Sequence, residues 1–177
     1  MPKKHFLRFP VVSTGAEYLV MGYLMRRNIL AYKAPEHNEG YDLICIHPDP
    51  RHRLRKGELP RVQVQVKSRY ATDCNRTLLV KEASFDAFEF LIVAFLNIGK
   101  FHRKDGGATD DRPEFYTLPS AFVRKHHKAN SSWPKVELRK LKAEIEPFKN
   151  EKGFELIAKA LGVPRPKKIR GLKPECE

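Results

Sequence analysis

The stretch 61–68 constrains the fold most. Val62, Val64 and Val66 alternate with Gln63, Gln65 and Lys67, and a period of two is the pattern of a β-strand with one face on a core and the other polar. A second stretch, 88–98, carries apolar residues at odd and even positions alike, which predicts a central strand buried on both faces. A sheet with such a strand must be covered on both sides. Helical spacing supplies the covers: Tyr18, Met21, Gly22 and Met25 within 16–27, and Phe154, Ile157, Ala158 and Leu161 within 150–161. The expectation is an α/β fold, a mixed central β-sheet flanked by α-helices.

Local signals divide the rest. Thr14 with Glu17 three residues later reads as a capping box opening the first helix. Asn28 suits the left-handed conformation that closes it. An extended piece at 29–33 and a turn at 34–40, with Pro35, Asn38 and Gly40, lead into a strand at 41–47. Pro48-Asp49-Pro50 stops that strand, because proline cannot donate to a ladder. Residues 71–76 and 104–112 read as loops, 77–88 as a short strand or a helix, and 114–118 as a strand. Pro119 is placed to open a helix reaching about residue 128, 130–134 reads as a break, and Trp133 as a strand start. No internal repeat is visible. The organisation expected is one domain over 1–162, followed by a basic C-terminal tail, 163–177, whose Pro164, Pro166, Lys167, Lys168 and Arg170 predict an extended, mobile segment.

Charge narrows the function. In 177 residues, 34 Lys and Arg stand against 21 Asp and Glu, a net charge of +13. Such an excess calls for a polyanion partner, a nucleic acid or an anionic membrane surface, or else is a solvated basic surface. The N-terminus leads into no long apolar stretch, which argues against a secretory signal. The longest apolar run, 90–96, falls far short of the ~20 residues that cross a bilayer. Three cysteines, Cys45, Cys74 and Cys176, lack paired spacing, which argues against a disulfide framework or a Cys-rich zinc site and fits a reducing cytoplasm. His126 and His127 are adjacent, so on a helix they point about 100° apart and do not share a metal. Gly99-Lys100 lacks the glycine a phosphate loop needs, since Ala94 occupies its place.

Four polar residues remain in an order that suggests chemistry: Glu17, Asp42, Gln65 and Lys67. If 41–47 and 61–68 pair as an antiparallel hairpin, the head of the first strand lies beside the tail of the second, and Asp42 nears Gln65 and Lys67. Asp49 falls at the far end, roughly 20 Å from Lys67 at ~3.3 Å per residue. Each residue also has a plainer reading. Glu17 completes a capping box, Asp42 starts a strand, and Gln65 and Lys67, with Gln63, form the wet face of a half-exposed strand.

Thr14-Gly15-Ala16-Glu17, Gly40-Tyr41-Asp42-Leu43 and Val64-Gln65-Val66-Lys67-Ser68 together resemble the PD-(D/E)XK nuclease superfamily over about residues 12–70, in the branch with glutamine at the third-motif acid. No proline precedes Asp42, and Gln65 stands where the family usually has Asp or Glu. The resemblance implies a restriction-endonuclease-like fold and a metal-dependent endonuclease that hydrolyses phosphodiester bonds in DNA, with a catalytically inactive nucleic-acid-binding module as the alternative. It implies Mg²⁺, replaceable by Mn²⁺, held by the oxygens of Asp42, Gln65 and Glu17, and Lys67 stabilising charge on the phosphate or holding the water. The partner implied is double-stranded DNA, and cutting both strands suits a homodimer. Arg51, Arg53, Arg55 and Lys56, then Arg124 and Lys125, then Lys167, Lys168 and Arg170 are the expected phosphate contacts. Trp133 and Tyr70 read as packing residues. A basic interaction protein of a ribonucleoprotein or a membrane surface is a third, separate reading.

Overall fold

The computed structural model describes residues 10–35, 38, 40–70, 77–98, 112–128 and 135–165. In chain order the elements are α1 (Pro10–Arg26), β1 (Leu30–Lys33), β2 (Leu43–Ile46), β3 (Val62–Arg69), β4 (Thr77–Leu79), β5 (Phe90–Phe95), β6 (Glu114–Pro119), α2 (Ser120–Lys125), β7 (Lys135–Glu137), α3 (Lys142–Ile145) and α4 (Asn150–Ala160). Five strands form one mixed sheet in the order β1-β2-β3-β5-β6, and β4 pairs with β7 in a small second sheet. Within the main sheet β3 and β5 are parallel, Val64 opposite Phe90 and Arg69 opposite Phe95, and the other pairings are antiparallel. The result is the expected arrangement, a mixed central sheet flanked by helices.

β5 explains the layering. Its six residues are all buried. Phe90, Ile92 and Ala94 join a core with Val62, Val64 and Val66 of β3, Ala16, Val20 and Leu24 of α1, and Phe154, Ile157 and Ala158 of α4. Leu91, Val93 and Phe95 join a second core with Leu78, Val80, Phe85, Leu118, Val123, Val136 and Leu138. One strand thus feeds both cores, and each fully buried Leu, Ile or Phe contributes about 1.5–3 kcal/mol. α1 and α4 cover one face. The small sheet, α2 and short helical turns cover the other.

Two expectations about α1 change. The helix already spans Pro10, so Thr14 lies inside it and the capping box with Glu17 does not form. Proline is tolerated in a first turn, where its missing N–H has no intrahelical partner to lose. The buried line is Ala16, Val20 and Leu24, four apart, whereas Tyr18 and Met25 of the predicted face are 54% and 44% exposed. Packing, rather than residue size, chose the face. Asn28 closes the helix with φ 61°, as expected. Arg27 then ties α1 to α4 through ion pairs with Glu151, at 3.2 Å, and Glu155.

The ambiguous stretch 77–88 resolves into β4 and a 3-10 turn at Glu82–Ser84. The helix after Pro119 stops at Lys125. The stretch 138–148 folds as a 3-10 turn, α3 and another 3-10 turn, pieces too short to leave a periodic signature. The loop at 71–76, Trp133 and nearly all of 104–112 lie outside the described residues. So do Lys167, Lys168 and Arg170, while Val163, at the head of the expected tail, is 5% exposed and packs on the first core.

α4 approaches β6 closely only because residue 153 is glycine. A Cβ there would meet the Phe148 carbonyl oxygen at 2.2 Å and the Thr117 Oγ1 at 2.8 Å. Gly153→Ala is therefore expected to destabilise the fold by about 1–3 kcal/mol in a urea titration, despite alanine's better helix propensity. A gain in stability would show that α4 sits farther from β6.

Candidate active site

The hairpin forms as the sequence suggests. Leu43 pairs with Val64, Ile44 with Gln63 and Cys45 with Val62. Continued by two residues, that register would set Tyr41 against Val66. The ladder instead ends, and Asp42 takes over. Its backbone N–H donates to the Val64 carbonyl at 2.8 Å, and its carbonyl accepts from the Ala34 N–H of the neighbouring strand segment at 2.9 Å. Its side-chain Oδ2 accepts the Val66 N–H at 2.6 Å. A carboxylate thus fills the place of a strand carbonyl where β2 peels away from β3.

The approach to Asp42 is shaped for this break. Gly40 has φ 100°, and a Cβ on it would lie 2.3 Å from that of Ala87. Only glycine fits both the left-handed backbone and the contact. Asn38 Nδ2 donates to the Tyr41 carbonyl at 2.7 Å and fixes the turn before it.

β3 carries the partners. Val64 and Val66 belong to the first core, with α1. Gln65 and Lys67 alternate to the other face, opposite Leu91 and Val93 of β5. Gln65 is only 8% exposed, and its Oε1 is buried without a hydrogen-bond partner among the described residues. A buried amide carbonyl left unpaired costs about 1–3 kcal/mol, so such an atom calls for a partner, whether an ordered water or a ligand. Lys67 is half-buried and forms no ion pair with the described residues. The carboxylate of Asp42 therefore meets β3 at the residue between an orphaned carbonyl oxygen and an uncommitted amine.

Glu17 stands apart. α1 packs on the opposite face, and the Glu17 carboxylate forms an ion pair with Lys33 of β1. Lys33 itself is a feature sequence reasoning missed. Its only cue was its position beside the turn leading to Asp42. Asp49 lies past the end of β2, where its Oδ1 accepts from the Arg51 N–H at 2.9 Å. That hydrogen bond, chiefly, holds its carboxyl below the usual carboxylate range.

Among the described residues no three His, Cys, Asp or Glu side chains cluster. The donor set is of another kind, one carboxylate and one amide carbonyl, both oxygen ligands of the sort a hard cation takes. Cys45 is no rival, because burial pushes its thiol up to about 12. The adjacent histidines diverge: the His126 ring packs at 4.5 Å on that of Phe122, while His127 Nε2 lies 2.9 Å from the Val80 carbonyl oxygen.

The expected phosphate contacts fare differently. Arg51, Arg53, Arg55 and Lys56 are exposed on the loop joining β2 to β3, at the end of the hairpin away from Asp42. The loop is anchored by the Leu59 N–H bonded to the Ala160 carbonyl at 2.7 Å and by His52 against Glu58 at 2.9 Å. Arg124 and Lys125 have acidic partners, Asp86 at 2.5 Å and Glu144 at 3.9 Å.

No family model matches the chain, and no curated protein does either. Among solved structures it is similar to that of Hjc from Archaeoglobus fulgidus, a Holliday junction resolvase from an archaeal hyperthermophile. The identity is 11%, the match covers 87% of this chain and 98% of that one, and the TM-score is 0.45. At that distance the reading of this chain rests on its own residues.

The dual engagement of Asp42 can be measured. Asp42→Ala leaves the Val66 N–H without its acceptor and should cost about 1–3 kcal/mol of stability. Asp42→Asn keeps an acceptor oxygen and should lose clearly less. Equal urea midpoints for the two variants would show that the Asp42–Val66 bond does not support the fold.

Proposed function

We propose that the chain is a metal-dependent endonuclease that hydrolyses phosphodiester bonds in double-stranded DNA. The observation that carries this reading is the Gln65 Oε1 without a hydrogen-bond partner among the described residues, buried on β3 two residues from Lys67, which forms no ion pair among them, and beside the Val66 amide that holds Asp42. A buried amide carbonyl needs a partner, and a hard cation is one that its oxygen can take.

Asp42 and Gln65 are the residues that would hold the cation, Mg²⁺ with Mn²⁺ as a substitute. Asp42 commits Oδ2 to the Val66 amide, which fixes the carboxylate and leaves Oδ1 for binding. Gln65 adds an oxygen without charge, so the site carries one formal negative charge where two acids would give two. A bound hard cation supplies charge neutralisation at the phosphate and a more acidic attacking water. Lys67 donates from its amine to a non-bridging phosphate oxygen and stabilises the charge that develops there. Because Lys67 and Gln65 share a strand face, a phosphate lying along β3 reaches both.

DNA as the substrate rests on charge. The net +13 favours a polyanion, and Arg51, Arg53, Arg55 and Lys56 give it an exposed set of cations beyond the hairpin. They lie beyond the Val62 end of β3, itself roughly 16 Å from Lys67 at ~3.3 Å per residue, a span that suits an extended duplex better than a single nucleotide. Cutting both strands at one place calls for two copies of the chain.

One observation favours a second reading, a nuclease-fold module that binds nucleic acid without cutting it. The candidate site holds a single carboxylate, and Glu17 is engaged by Lys33.

Cleavage of plasmid and duplex oligonucleotides under a Mg²⁺ titration separates the two. Asp42→Asn and Lys67→Ala should each lower the cleavage rate by about 10²–10³-fold, with DNA binding retained. Gln65→Glu should hold or raise metal affinity. Wild-type protein that binds duplex DNA yet never cuts it, with Mg²⁺ or Mn²⁺, would establish the binding module instead.

Salt tests the basic loop. Replacing Arg51, Arg53 and Arg55 together by alanine should weaken DNA binding and flatten the slope of log K against log salt by about 2–3. An unchanged slope would place the phosphate contacts elsewhere.

A further inference from the structure

We propose that Leu54 is a wedge that the β2–β3 loop drives between adjacent base pairs of a bound duplex, so that the protein favours DNA whose stacking is already weakened. The inference rests on the reading of the ligand as double-stranded DNA and uses no step of the cleavage chemistry.

Leu54 stands between Arg53 and Arg55 and is 52% exposed, and Arg51, Arg53, Arg55 and Lys56 around it are exposed as well. A single exposed leucine is ordinary. This one is distinguished by how it is held. The Glu58 carboxylate grips the loop on both sides of it: Oε2 lies 2.9 Å from His52 Nε2 and accepts the Arg55 N–H at 2.9 Å. Arg53 and Leu54 are therefore the two residues that bridge the jaws of one clamp. The His52 and Glu58 side chains are themselves largely buried. The His52 ring stacks on that of His47, with centroids 3.8 Å apart, and the His52 N–H donates to the Asp49 carbonyl at 3.0 Å. Gly162, just past α4 with φ 70°, lies against the Glu58 carboxylate with no room for a Cβ, and the Leu59 N–H is bonded to the Ala160 carbonyl. The tip is thus exposed while its base is fixed to the body of the protein.

A loop that only meets phosphates needs cations and has no use for an apolar tip. A fixed tip with a leucine between two guanidinium groups has the makeup of an unstacking wedge. The arginines meet phosphates on either side of a base step, and the leucine enters where the bases part. The surrounding cations select a polyanion over an apolar protein surface as the partner. Leucine leaves water for the faces of the bases. Because the clamp has already ordered the loop, little of the interaction is lost in holding it still. Parting a stacked step opposes binding, and it does so least where a mismatched pair has already weakened the stack. A preference for such a step follows.

Fluorescence anisotropy with the full chain tests this, without divalent cation so that nothing is cut. The probes are two duplexes of the same length, one fully paired and one with a single central mismatch. Both carry the same phosphates, so the ratio of the two affinities is insensitive to the charge of the loop. Wild-type protein should bind the mismatched duplex about fivefold or more tightly. Leu54→Ala should bring that ratio below about twofold, and Leu54→Phe, which keeps an apolar wedge, should preserve it. Leu54 is exposed enough for its truncation to leave the fold intact. Energy transfer between dyes on the two duplex ends should rise when wild-type protein binds, as the wedge kinks the DNA, and stay flat with Leu54→Ala. Equal wild-type affinities for the two duplexes, or a preference that survives in Leu54→Ala, overturns the wedge and leaves the DNA reading standing. Wild-type protein that binds neither duplex at any salt concentration overturns both.

Discussion

Two-sided burial of β5 is the constraint from which the architecture follows. A strand with no polar residue on either face cannot sit at an edge or face water, so the chain must build a layer on each side of it. α1 and α4 are one layer. The other is assembled from short pieces, β4 with β7, α2 and α3, that have little regular structure of their own. Parallel pairing with β3 then places the polar residues of that strand next to Leu91 and Val93. Gln65 is buried because of its neighbour, in a position where a glutamine must find a partner.

The residues of the proposed site gather where the sheet is interrupted. A continuous β2–β3 ladder would spend every strand amide on a strand carbonyl and leave no opening. Here the ladder stops at Leu43, Gly40 turns the chain inward against Ala87, and a side-chain carboxylate completes the pairing of Val66. The break puts a charged oxygen in line with the sheet, held by the Val66 amide. Gln65 and Lys67 occupy one side. Lys33 and Glu17 occupy the other. Among the described residues the proposed site differs from a dense acidic cluster.

Much of this was legible in the sequence because it is periodic. The alternation around Gln65, the two-faced apolar run of β5 and the four-residue spacing in α4 each announce an element, and the loop between β2 and β3 announces their antiparallel pairing. Asn28 announced its own left-handed turn. What failed to show was decided by contacts between distant residues. Tyr18 and Met25 look as apolar as Val20 and Leu24, and only docking on the sheet distinguishes them. Glu17 fits a capping box in the sequence, but the helix runs back through Pro10 and its carboxylate turns to a lysine sixteen residues on. No pattern reports that a side-chain oxygen replaces a backbone one at Asp42. The pieces at 138–148 are each shorter than two helical turns, too brief for any period to register.

The double engagement of Asp42 bears on how this chain can change over evolutionary time. An aspartate that completes a sheet is kept for folding even if every chemical demand on it lapses, so its presence in a descendant says little about what that descendant does. Lys67 has no ion-pair partner among the described residues to anchor it. If the proposed chemistry lapsed in a lineage, no ion pair among the described residues would hold the lysine in place. The informative position for following such a history is therefore Lys67 rather than Asp42.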